Sequence, residues 1–163
     1  STLTSKQYLD TTNYCYNSFK DIDRTDFKIA VAESCTGGKI SKMLTSIPGS
    51  SKVFIGSVVA YSEYSKTTIL GVNPKSIKKY SMVSQKVVID MAQSVRKKFK
   101  SDYGLATSGY MGPFEDNNNR FAWICVVAKD KIISKKISLK STRLNNILIT
   151  ARTVLNELRK EIL

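Results

Sequence analysis

The sequence predicts an α/β fold: a three-layer α/β/α sandwich on a mixed, mostly parallel sheet, laid out as one domain over residues 1–163. Three observations predict it. Short apolar runs at 27–32, 53–61 and 103–107 alternate with helix-periodic stretches, the pattern of parallel strands joined by crossover helices. Two later runs, Phe121–Ala128 and Ile132–Leu139, flank Lys129-Asp130-Lys131 and read as a hairpin, which makes the sheet mixed. The closing stretch from about Arg143 carries Leu144, Ile147, Leu148, Ala151, Leu155, Leu158 and Ile162 as a wide apolar stripe, a core helix.

The elements follow in order. Thr4-Ser5-Lys6-Gln7 has capping-box spacing and opens a helix to about Lys20, and Asp21 to Asp26 is a charged turn. Phe27 to Ala32 is a short buried strand that runs into Glu33-Ser34-Cys35-Thr36-Gly37-Gly38 and a helical stretch, Lys39 to Ser46. Val53 to Tyr61 is the next strand, and Ser62 caps a short helix that Gly71 ends. Pro74 suits the first turn of a helix to Tyr80. Ser84 caps an amphipathic helix with Val88, Met91, Ala92, Val95 and Phe99 on one face. Tyr103 to Thr107 is a strand, and Ser108 to Arg120 a loop.

Composition narrows the chemistry. With 26 Lys and Arg against 13 Asp and Glu the net charge is +13, and there is no histidine. Mechanisms that need an imidazole as base, acid or metal ligand are excluded, so any base is Lys, Tyr, Asp or Glu. The lysines are spread along the chain without a recognition motif, which reads as surface decoration rather than a nucleic-acid interface. Cys15, Cys35 and Cys125 fit neither a disulfide framework nor a cysteine-rich zinc site, and the expected compartment is the reducing cytoplasm. No membrane span, metal site or cofactor motif is read from the sequence.

Ligands in open α/β sheets bind at the carboxyl ends of strands, so the loops after Ala32, Tyr61 and Thr107 should converge on one cleft. Ser34, Gly37 and Gly38 lie in a strand–turn–helix, where a hydroxyl is held exposed and a helix N-terminus offers N–H groups to an anion or oxyanion. The same hexapeptide reads equally well as turn and cap chemistry. A serine without histidine needs another base. Lys66 is the candidate by context, set after the strand that should neighbour the first, although a lysine there is also often a solvated one.

Ala32-Glu33-Ser34-Cys35-Thr36-Gly37-Gly38 resembles the signature of the CinA C-terminal domain, or nicotinamide-nucleotide amidase, family. Pro48-Gly49-Ser50-Ser51 with Phe54, Val58-Val59-Ala60-Tyr61-Ser62 with Lys66, and Leu70-Gly71-Val72 support it, as do Val83-Ser84, Ser108-Gly109 and Gly112-Pro113. The resemblance implies an amidase converting nicotinamide mononucleotide to nicotinate mononucleotide and ammonia, without a cofactor and as a homo-oligomer. It makes Ser34 the nucleophile, Lys66 the general base and Tyr61 the hydroxyl that orients the lysine or relays its proton. Backbone N–H groups near Thr36 and Gly37 become the oxyanion donors, with Gly38 completing the turn. Ser50, Ser51, Ser108, Gly109 and Arg143 match positions suited to the substrate and its ribose phosphate. Cys35 is read as a packing residue.

The resemblance lapses in one place. No glycine pair follows Pro113, and Trp123 stands where a glycine is expected, so the 110–123 loop should shape a different or occluded pocket. The alternative reading this favours is a silent homologue that binds a nucleotide or a protein partner.

Overall fold

A computed structural model describes residues 26–113 and 119–162. The expected helix from Thr4 to Lys20, Cys15, and the centre of the 110–123 loop lie outside those residues. Strand β1 (Ile29–Glu33) is buried along its length because both of its faces are covered. Ile29 and Val31 pack against the layer of α1 (Lys39–Thr45) and α4 (Arg143–Ile162). Ala30 and Ala32 face the opposite layer, α2 (Pro74–Tyr80) and α3 (Gln85–Phe99).

β1 pairs in parallel with β2 (Phe54–Val59) on one side and β3 (Tyr103–Gly109) on the other. β4 (Phe121–Ala128) joins β3 antiparallel and β5 (Lys131–Ser138) joins β4 antiparallel, giving the order β2-β1-β3-β4-β5. Among the described strands β4 alone runs against the others, so the sheet is mixed and mostly parallel, with a helical layer on each face. The exposed lysines of β5, Lys131, Lys135 and Lys136, blunt that edge against further pairing.

The α3 side of the sheet is lined by small residues because the helix lies very close to it. A Cβ on Gly104 would sit 2.3 Å from the carbonyl oxygen of Ala92, a backbone atom that cannot swing away. Gly104→Ala is therefore expected to cost about 2–3 kcal/mol of stability through overpacking, read as a lowered urea midpoint at unchanged slope.

Three boundaries differ from the sequence reading in ways that matter for the site. β3 continues to Gly109, so Ser108 and Gly109 are strand residues, opposite Trp123 and Ala122, rather than loop. β2 ends at Val59. Ser62 caps the next turn through Ser65 N–H to its hydroxyl, 3.1 Å, but the segment Ser65–Ile69 is a π-helix, with Leu70 N–H bonded to the Ser65 carbonyl. Such widened turns concentrate at functional sites, and this one carries Lys66. Among the described residues no helix is long and apolar enough to cross a membrane.

Candidate active site

Ser34 follows the last residue of β1 and begins a tight turn in which the Gly37 N–H donates to the Ser34 carbonyl at 3.1 Å. Gly37 and Gly38 have φ of +57° and +100°, left-handed values that a Cβ would disfavour. The expected free helix N-terminus is already occupied. Glu33, fully buried, turns its carboxylate onto α1, where Oε1 accepts from Ile40 N–H at 2.9 Å and Oε2 from Ser41 N–H at 3.1 Å. The Ser41 hydroxyl adds a third bond to Oε2 at 2.6 Å. A carboxylate at a helix N-terminus satisfies orphan donors and opposes the helix dipole. Gly37 and the first turn of α1 are thus withdrawn from anion binding, and the N–H groups of Thr36 and Gly38 are left without a hydrogen bond among the described residues.

Lys66 reaches Ser34 from the π-helical turn. Its side chain is only 1% exposed, and Nζ lies 2.9 Å from Ser34 Oγ, 2.8 Å from the Ala60 carbonyl oxygen and 3.3 Å from the Tyr61 carbonyl oxygen. Three acceptors around an ammonium satisfy its three N–H groups. A neutral amine in the same place donates to the two carbonyls and turns its lone pair to the Ser34 hydroxyl, the arrangement of a general base. Burial lowers the Lys66 pKa from its ordinary 10.5, because desolvation penalises the charged form, and the neighbouring Cys35 opposes this.

The remaining predicted residues divide. Tyr61 is 61% exposed, and its hydroxyl accepts from Arg143 Nη2 at 3.2 Å; its backbone carbonyl, not the hydroxyl expected to orient the lysine, meets Lys66. Arg143 also donates from Nη1 to the Gly112 carbonyl at 2.9 Å. Tyr61 and Arg143 border the same cleft as Ser34 and Lys66, a recess of about 220 Å³ also walled by Ser108, Gly109, Tyr110 and Met111. The Ser108 hydroxyl donates to the Met82 carbonyl at 2.8 Å, which holds the opposite wall. Thr36 is buried, its hydroxyl 2.9 Å from that of Thr107, so it braces the turn against β3 rather than facing the cleft.

Ser50 and Ser51 lie elsewhere. They form a 3-10 turn just before β2, at the end of the sheet where Ile29 N–H bonds the Val53 carbonyl. The length of β1, about 16 Å at the usual rise per residue, separates that end from Ser34. Trp123 does not occlude the cleft; it packs half-buried into the α2/α3 layer, among residues such as Val88 and Met91.

Several positioning residues escaped the sequence reading. Glu33 was signalled by an acidic residue between an apolar strand and a helix-opening glycine turn. Thr107 and the buried Asn146, whose Nδ2 donates to the Met111 carbonyl at 2.9 Å, had no signal beyond a polar residue in an apolar run. Cys35 packs with Met111, Ala122 and Leu139, and burial pushes its thiol up to about 12. Cys35→Ala is expected to keep wild-type turnover, and the native thiol to resist iodoacetamide at pH 8, both read by assay and mass spectrometry.

The family model for the CinA C-terminal domain matches residues 14–162. The chain belongs to the CinA C-terminal domain family. The CinA-like protein of Cytophaga hutchinsonii is 41% identical over 137 residues, 82% of this chain and 33% of that protein. That of Amoebophilus asiaticus is 39% identical over the same span, so the chain covers about a third of the length of these curated relatives. The competence damage-inducible protein A of Klebsiella pneumoniae shares the fold, with a TM-score of 0.85 at 22% identity, over 93% of this chain and 96% of that one. The competence/damage inducible protein CihA of Agrobacterium tumefaciens does likewise, with a TM-score of 0.85 at 24% identity, over 97% and 96%.

Proposed function

We propose that the protein is an amide hydrolase that converts nicotinamide mononucleotide and water to nicotinate mononucleotide and ammonia. The observation that carries this reading is the buried contact of 2.9 Å between Lys66 Nζ and Ser34 Oγ, in a chain without histidine. Neutral Lys66 accepts the Ser34 proton as Oγ bonds to the carboxamide carbon. The resulting ammonium gives that proton to the amide nitrogen as the C–N bond breaks, and ammonia leaves. Water then attacks the acyl ester, its proton passing through Lys66 back to Ser34 Oγ as the carboxylate product forms. Thr36 N–H is the turn's free donor for the oxyanion.

The exposed ring of Tyr61 and the neighbouring Tyr110 suit a pyridinium, whose positive charge favours aromatic faces. The expected occlusion by Trp123, which favoured a silent homologue, finds no support, since that ring packs away from the cleft. The test is incubation of the purified protein with nicotinamide mononucleotide, following nicotinate mononucleotide by chromatography. Its formation in equal amounts with ammonia is expected; absence of both sinks the reading for this substrate.

A further inference from the structure

A second, larger recess of about 620 Å³ adjoins the Ser34 cleft, and Arg143 borders both. Its lining brings together Arg120, Lys140 and Arg143 with the hydroxyl residues Ser141 and Thr142, and includes no carboxylate. The recess lies at the N-terminus of α4, a 20-residue helix, where Thr142 Oγ1 accepts from Asn145 N–H at 3.3 Å and the Thr142 carbonyl from Asn146 N–H at 2.8 Å. Within the described residues the N–H groups of Arg143 and Leu144 have no acceptor in the caps that surround them. Helix ends of this kind favour negative charge.

The cations are held but not neutralised. Arg120 Nη1 donates to the Ser141 carbonyl at 3.1 Å, while its buried Nε has no hydrogen-bond partner. Arg143 uses its two bonds on Gly112 and Tyr61, both uncharged. Among the described residues no carboxylate forms an ion pair with Arg120, Lys140 or Arg143. Three positive groups beside open helix N–H donors are a site for a compact dianion, and guanidinium forks match phosphate oxygens in particular.

We propose that Arg120 and Lys140 form, with Arg143, a phosphate subsite that makes the cleft selective for the phosphorylated form of its substrate. This deepens the amide-hydrolase reading and rests on it for the substrate's other end. Arg120 and Lys140 are outside the residues carried over by family resemblance, and Arg120 closes the loop that departs from the family pattern. The carboxamide end enters the Ser34 cleft, and the phosphomonoester lies across Arg143 in the larger recess.

The test is calorimetric titration of the wild type, Lys140→Glu and Arg120→Gln with nicotinate mononucleotide and with nicotinate riboside, neither of which carries an amide to hydrolyse. Thermal unfolding establishes that each variant is folded; Lys140 is exposed and its replacement leaves the core untouched. The wild type is expected to prefer the mononucleotide, and each substitution to weaken that ligand roughly ten-fold or more while leaving riboside affinity unchanged. Wild-type affinity in both variants, equal losses for both ligands, or no mononucleotide binding by the wild type overturns the subsite. A protein that discriminates the ligands in this way yet hydrolyses no amide keeps the subsite and loses the hydrolase reading. Hydrolysis with a KM indifferent to both substitutions does the reverse.

Discussion

Ser34→Ala is expected to lower ammonia release from nicotinamide mononucleotide by roughly 10⁴-fold or more, with little change in KM, because the hydroxyl forms the bond to the carboxamide carbon and its loss leaves the binding groups in place. Lys66→Ala should cost roughly 10²–10⁴-fold. The double variant should be no worse than the poorer single one, since the two groups move a single proton between them. Lys66→Arg should not rescue activity, because a guanidinium keeps its proton and offers Ser34 no lone pair. The lowered pKa of Lys66 also links stability to pH. Between its folded value and 10.5 the unfolded chain binds the extra proton, so stability rises with pH across that window, and the desolvation cost is fully present below it. The stability of the wild type relative to Lys66→Met should accordingly improve as the pH rises toward 10.5.

Glu33→Ala is expected to lower unfolding free energy by about 3 kcal/mol, the largest loss of stability among substitutions near the cleft. The carboxylate satisfies Ile40 N–H, Ser41 N–H and the Ser41 hydroxyl in a fully buried position, and no water can replace it there. Glu33→Gln should lose less, since its carbonyl keeps one helix bond while its NH₂ faces the other donor. Glu33→Asp is too short by one methylene to span both N–H groups. Urea denaturation monitored by circular dichroism measures the series. Turnover should fall with it at temperatures where the variants remain folded, because the same side chain anchors the turn that holds Ser34.

The fold was legible because its signals are local and periodic. The apolar run ahead of Gly37, the amphipathic period of α3 and the hairpin around Asp130 each bury a face that the sequence pattern displays. Ser34 and Lys66 were legible for a related reason: both follow strands that the α/β pattern makes neighbours, and parallel pairing of β1 with β2 brings their carboxyl ends together. What escaped depends on side-chain direction. Tyr61 lies in the expected place, yet its backbone carbonyl meets Lys66 while its hydroxyl turns to Arg143, a choice set by the end of β2 and the start of α4. Ser50 and Ser51 were assigned to the site by motif, and the strand that follows them carries the chain to the far end of the sheet. Glu33 was passed over because an acidic residue at a strand end reads as exposed until the helix that it caps is in view.

The central claim, that buried and neutral Lys66 activates Ser34 for amide hydrolysis, is tested most directly by the pH dependence of ammonia release from nicotinamide mononucleotide. The account predicts measurable turnover whose kcat/KM rises with pH to a plateau, with a midpoint below 10.5, and which disappears in Ser34→Ala and Lys66→Ala. Release no greater than that of the two variants at any pH, or a rate that persists without Lys66, would contradict it.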